Sequence, residues 1–165
     1  MGRMQVTHHF DADVETVFAL MSDPDFLARK YEAGGATDVR VDSDEREVDP
    51  QVVSRRKVTV DLPGFARRVM TPTNTLVQTD VWSAPDAQGR RVCRYTVDVQ
   101  GVPSRIEGTV TLTPDGGGTR QDVEADVKVS VPLVGGKLEK FAADNGVTML
   151  AGEAEFTRRE LADRG

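Results

Sequence analysis

A chain of 165 residues, 38% hydrophobic and 29% charged, is long enough to bury a core with a pocket beside it and is read as one domain, residues 1–165. Its net charge of −6, with arginines dispersed along the chain, argues against nucleic-acid binding, which draws affinity from neutralised phosphates. No apolar run approaches the roughly 18 residues of a membrane span, the opening Met-Gly-Arg-Met-Gln has no apolar signal core, and a lone cysteine forms neither an internal disulfide nor a multi-cysteine metal site; the expectation is a cytoplasmic protein with no integral membrane segment and no cofactor.

In chain order, residues 4–10 are predicted as a short strand, and Asp11 or Asp13 can cap the helix that follows. There Val14, Val17, Phe18 and Met21 stand at i, i+3, i+4 and i+7, an amphipathic face. Ser22-Asp23-Pro24 is a second start signal, with Asp23 as N-cap and Pro24 at the first helical position, where a fixed φ and a missing N–H are tolerated. This second helix carries Phe26, Leu27 and Tyr31 and stops before Gly34-Gly35.

From Ala36 to Val131 the period changes to two. Val39 and Val41 alternate with Arg40 and Asp42, Asp44 to Glu47 reads as a polar turn, and further strands are predicted over 52–60, 75–82, 91–99, 104–113 and 119–131. Asp61-Leu62-Pro63-Gly64-Phe65 is a turn sequence holding an aromatic residue with no alternating neighbours. The connectors at 84–89, 101–103 and 114–118 are short enough for hairpins, which makes the strands an antiparallel meander. In the last strand Val123, Ala125, Val127, Val129 and Val131 face one way and Asp122, Glu124, Asp126, Lys128 and Ser130 the other, so the sheet has a dry side and a wet side.

The stretch 131–163 closes the chain with a Pro-Leu-Val-Gly-Gly lead-in and a helix of about 28 residues, about 42 Å long. From Leu138 a stripe runs through Phe141, Asn145, Met149, Gly152 and Phe156 at steps of three and four. Gly146 and Gly152 each cost about 1 kcal/mol of helix propensity relative to Ala, and Asn145 puts an amide on the buried side. Two readings are open: glycines that let the helix approach the sheet closely, or a helix that roofs a cavity in which Asn145 meets a ligand.

The fold class expected from this order is α+β, a curved antiparallel sheet of about seven strands with two short helices after the first strand and a long C-terminal helix. Phe10-Asp11-Ala12-Asp13-Val14-Glu15-Thr16-Val17-Phe18, closed by Asp23-Pro24, resembles the opening of the START-like superfamily, the helix-grip fold shared with polyketide cyclases and the birch-pollen allergen; Gly118-Thr119 and the lead-in 132–136 are also similar. Asp13 stands where such openings often carry Pro. The resemblance is to an uncharacterised bacterial branch, and it implies an apolar cavity between sheet and long helix, used in the superfamily for lipids, polyketides, quinones or hormones.

Candidate chemistry is sparse. His8 and His9 occupy adjacent strand positions and point to opposite faces, so they form no metal pair; His8, in phase with Val6 and Phe10, is either a satisfied edge histidine or a pocket acid or base. Cys93, in phase with Tyr95, Val97 and Val99, reads as a buried structural cysteine. Tyr95 carries a phenol on an apolar face and needs a partner there. Arg56 alternates in phase with Val58 and Val60: it either twists into solvent at the strand end or faces the cavity and holds a ligand carboxylate. Gly116-Gly117-Gly118 leads from strand to strand and lacks a following Lys-Ser/Thr, so it is a hairpin tip and no phosphate loop.

Three functions are consistent with these residues. The first is non-catalytic binding or transport of a hydrophobic small molecule, with Arg56, Phe65, Tyr95, Phe141, Asn145, Met149 and Gly152 at the site. The second is a cyclase or dehydratase using His8, and the third is a protein-interaction or co-chaperone-like module using an exposed apolar patch. The mouth of the cavity is expected where 33–35 and 63–65 meet at one end of the sheet, with Phe65 as an apolar flap. The sequence sets no oligomeric state.

Overall fold

Asp13 Oδ1 accepts a hydrogen bond from the Thr16 backbone N–H at 2.8 Å, satisfying one of the donors that a helix N-terminus leaves free. Asp13 and not Asp11 is therefore the cap of α1 (Val14–Met21). Asp23 plays the same part toward Asp25 N at 3.1 Å, with Pro24 as the first residue of α2 (Pro24–Ala33). Residues 2–44 and 49–164 are described in the computed structural model; the polar turn expected at Asp44 to Glu47 lies, after Asp44, outside the described residues.

Seven strands carry the alternating segments: β1 (Gly2–Phe10), β2 (Thr37–Asp44), β3 (Gln51–Thr59), β4 (Thr73–Trp82), β5 (Arg91–Val99), β6 (Ser104–Asp115) and β7 (Gly118–Val129). They form one sheet in the order β1-β7-β6-β5-β4-β3-β2, with every neighbouring pair antiparallel. The β6–β7 hairpin is tighter than the sequence suggests. Pro114 and Asp115 pair with Thr119 and Gly118, leaving a tip of Gly116-Gly117 with φ of 56° and 89°, a left-handed backbone that glycine adopts without steric cost. β7 ends at Val129 rather than Val131.

The last helix, α3 (Gly135–Arg164), has 30 residues and packs chiefly on β1 and β7. Gly146 explains how closely it can approach: a Cβ there would lie 2.7 Å from Met4 Sδ on β1. Gly152 is different. It is exposed, and a Cβ on it meets nothing within 4 Å, so the buried stripe expected through Gly152 runs instead through Leu138, Ala143, Ala154 and Thr157. A step of four from Met149 reaches Glu153, and Gly152 turns outward. α2 packs on β2 and on α3, tied to the latter by Arg29, whose Nη1 and Nη2 donate to the two carboxylate oxygens of Glu160 at 3.1 and 2.9 Å. With α3 seated on β1 and β7, the inner faces of β3, β4 and β5 stand away from it, and the space between is where a site can form.

Candidate functional site

That space is a cavity of about 270 Å³ bordered by α2, α3 and the inner faces of β3–β7. Its deep walls are apolar, with Val97 and Ile106 from the sheet and Phe141, Met149 and Leu150 from α3. A second, outer pocket of about 450 Å³ lies against α2 and the later part of α3. Lys30, Tyr31, Arg56, Val58, Met149 and Glu153 line both, so the partition between the chamber and the outer pocket is made mostly of polar side chains.

Each of these is placed by local geometry. One face of α2 presents Phe26, Leu27, Lys30 and Tyr31, all buried. Lys30 Nζ lies 3.4 Å from Glu153 Oε1 of α3 and 5.2 Å from the Tyr31 ring centroid. In β3 the inward phase holds Val52, Ser54 and Arg56, and the register sets Ser54 opposite Gln78 and Val52 opposite Asp80. The Arg56 guanidinium stacks 4.0 Å above the Tyr31 ring and donates through Nη2 to Gln78 Oε1 at 3.1 Å. Gln78 passes the interaction on, its Nε2 donating to Asp80 Oδ1 at 2.9 Å. Arg56 is only 5% exposed, and its buried Nη1 has no hydrogen-bond partner. The alternative in which Arg56 twists into solvent is thereby overturned: the inward phase of β3 persists to Val58, and α2 covers it.

Charge in this partition is set by burial against pairing. Burial disfavours the ammonium of Lys30, yet Glu153, Tyr31 and Asp80 together outweigh it and its pKa lies above the ordinary value. Burial pushes Asp80 up, opposed in part by the Gln78 hydrogen bond and by Lys30. Burial also raises Tyr31 and Tyr95, the latter helped by Asp80, its cross-strand neighbour. The Cys93 thiol is pushed up by burial as well, which removes the thiolate a nucleophile needs.

Arg56, Tyr95, Phe141, Asn145 and Met149 are brought together around the inner chamber. The Tyr95 ring lies over Gly108 of β6, where a Cβ would stand 2.7 Å from Cζ. Asn145 directs Nδ2 at Met149 Sδ, 3.3 Å away, a weak acceptor for an amide. Gly152 lines the outer pocket only. Phe65 lines neither pocket; it packs against the buried cluster of Leu62, Ala66, Val127, Val129 and Leu138, and its loop neighbours Leu62 and Met70 reach the chamber instead. The register does set the two loops at the same end of the sheet, since Thr37 pairs with Lys57 and Val60 N donates to Pro72 O. His8 contacts Gln121 Oε1 through Nδ1 at 3.2 Å and borders neither pocket, so it is the satisfied edge histidine.

Lys30, Gln78, Asp80 and Glu153 escape a reading of the sequence, although a signal for each exists. Lys30 follows Phe26 by four residues, Glu153 follows Met149 by four, and Gln78 and Asp80 share the phase of Leu76 and Trp82. Among the described residues no group of three His, Cys, Asp or Glu is placed to hold a metal ion, and no helix is long and apolar enough to cross a membrane.

A family model described as protein of unknown function (DUF2505) matches residues 5–161. An uncharacterized protein of Mycobacterium tuberculosis is 24% identical over 99 residues, 59% of this chain and 56% of the relative, so the match spans about half the length of that relative. Among solved structures, a fragment of a STAR-related lipid transfer protein from Xanthomonas axonopodis matches with a TM-score of 0.64 at 15% identity, over 96% of this chain and 84% of that one. A protein of Thermus thermophilus matches with a TM-score of 0.61 at 21% identity, over 93% and 95%. The lipid transfer and protein localization domain of human StarD13 matches with 0.60 at 12%, over 94% and 74%. The fold is START-like, as the opening motif implied.

Proposed function

Because the chain belongs to the DUF2505 family of proteins of unknown function, whose description specifies no reaction, we propose a function from the chamber itself: non-catalytic binding or transport of a hydrophobic small molecule, lipid, polyketide or quinone-like, beneath α3. The observation that carries this reading is an apolar chamber of about 270 Å³ at the place where a 30-residue helix covers the sheet without filling the space under it. A core at ordinary density leaves few voids larger than a water molecule. At about 30 Å³ of liquid volume per water, this one equals about nine waters. It falls just under the ~300–1,000 Å³ usual for small-molecule pockets, and Met4, Met21, Met70 and Met149 in its wall give it room to adapt, since unbranched thioethers repack at low cost. The lipid-transfer names of two structural neighbours agree with that ligand class. In this reading Tyr95, Phe141, Asn145 and Met149 touch the ligand, Gly152 borders its outer approach, and Phe65 steadies the loop at the apolar end.

The test is uptake of a fluorescent apolar probe by the protein and by Val97→Phe, which projects a ring into the chamber. Saturable one-to-one binding that the substitution weakens at least tenfold is expected. Non-saturable binding, or binding unaffected by the filled chamber, would refute the reading.

A second reading, a cyclase or dehydratase, keeps one supporting observation after His8 is set aside. Asp80 borders the chamber with its pKa raised by burial, as a general acid requires. The mass of a bound polyketide-like molecule before and after incubation separates the two: an unchanged mass supports carriage, and a loss of water supports the enzyme.

A further inference from the structure

The polar partition is costly, and its cost is concentrated at one atom. A buried guanidinium normally meets a carboxylate or fills its N–H groups with acceptors. Arg56 has neither. No carboxylate among the described residues forms an ion pair with it; Lys30 takes Glu153, and Asp80 is held by Gln78 Nε2. Its Nη2 reaches Gln78 Oε1, its face rests on Tyr31, and its Nη1 is buried and unpartnered in a side chain that borders both the chamber and the outer pocket. The amide of Gln78 is oriented by its two partners, oxygen to the guanidinium and nitrogen to Asp80, so it cannot turn to relieve Nη1.

Resting on the binding function proposed above, we infer that the ligand is an amphipathic monoanion, an aliphatic or aromatic carboxylic acid whose carboxylate accepts from Arg56 Nη1 while its apolar tail occupies the chamber toward Val97, Ile106 and Leu150. One guanidinium without a carboxylate partner matches one negative charge; a doubly charged phosphate monoester would bring its second charge against the Glu153 carboxylate, which borders the same partition. The arrangement also fixes direction. The head lies in the partition next to the outer pocket and the tail points inward, because beyond Arg56 and Gln78 the β5 and β6 walls are Val97, Val99 and Ile106.

The experiment compares decanoate with decanol, which share a tail and differ in the charge of the head, by titration calorimetry at neutral pH. The intact protein is expected to bind decanoate at least about tenfold more tightly, the scale of one charge-assisted hydrogen bond. Arg56→Met should lose that preference and bind decanol within about threefold of the intact protein. If Arg56→Met lacks a cooperative melt, Arg56→Lys takes its place: it keeps the charge but loses the fork and should retain only part of the preference. Equal binding of the two probes by the intact protein, or an undiminished preference in the Arg56 variants, overturns the anionic head and leaves apolar binding standing. Failure of the intact protein to bind either probe overturns both.

Discussion

Gly108→Ala is the substitution whose consequence the structure specifies most closely. Gly108 lies in β6 between Tyr95 on β5 and Ala125 on β7. A Cβ added to it would collide with the backbone carbonyl oxygen of Glu124 and would stand 2.7 Å from Tyr95 Cζ and 2.8 Å from Tyr95 Oη. The ring can swing toward the chamber, but backbone in the middle of a sheet gives little, so the clash with the Glu124 carbonyl remains and the β6–β7 pairing must distort around it. Forced repacking of this kind costs about 1–3 kcal/mol. At about 2–4 °C per kcal/mol for a chain of this size, the melting temperature should fall by about 2–12 °C, and the displaced ring should weaken uptake of an apolar probe in the same samples. Introducing Gly108→Ala into a Tyr95→Leu background isolates the ring's share, because residues in contact give non-additive effects; the alanine should cost less there. A Gly108→Ala protein as stable as the parent would refute the close approach of β5, β6 and β7 at this point and with it the placement of the Tyr95 ring over Gly108.

Gly152→Ala should raise the melting temperature by about 2–4 °C, since its methyl enters open space and helix propensity gains about 1 kcal/mol; a lowered melting temperature would show that the helix is packed at that point. Glu160, held down to about 2 by hydrogen bonds from Arg29 and then Arg164, has a depressed folded-state pKa, so its stabilisation is complete above the ordinary value of 4.5 and is lost as pH falls from there through about 2. Melting curves across that window should therefore fall more steeply for the parent than for Glu160→Gln, and parallel curves would contradict the Arg29 clamp. Phe65→Ala should cost less than the ~3–5 kcal/mol of a core phenylalanine, because Phe65 is only half-buried, and should speed probe release in stopped-flow mixing; the full core cost with release unchanged would exclude a gating role.

Much of the fold is legible because it is written locally. Asp13 and Asp23-Pro24 cap their helices through contacts two or three residues away, and the polar–apolar alternation of β5 and β7 marks both the strands and their buried faces. β4 is not legible in this way. Its outward residues Thr75, Val77, Thr79 and Val81 suit a strand as well as the inward Asn74, Leu76, Gln78, Asp80 and Trp82 do, so alternation alone leaves Gln78 and Asp80 unassigned. The two glycines of α3 show a second limit. Gly146 and Gly152 look alike in the sequence, and what separates them is Met4, more than a hundred residues away, which stands over one and not the other. The partition suffers from the same distance: Lys30, Arg56, Asp80 and Glu153 come from four elements and meet only when α2 and α3 close over the sheet. Lys30, Asp80 and Glu153 look solvated in their own segments, and the phase of Arg56 with Val58 and Val60 leaves solvent and cavity both open to it.

Whether the chamber holds an apolar ligand can be read directly from intermolecular NOEs between a saturating apolar ligand and methyl-labelled protein. Contacts to the methyls of Val97, Ile106, Met149 and Leu150, which border the chamber, are the result expected. Contacts confined to Val69, Leu133 and Val147, the large apolar side chains exposed at the surface among the described residues, would contradict a binding chamber beneath α3 and favour an interaction surface instead.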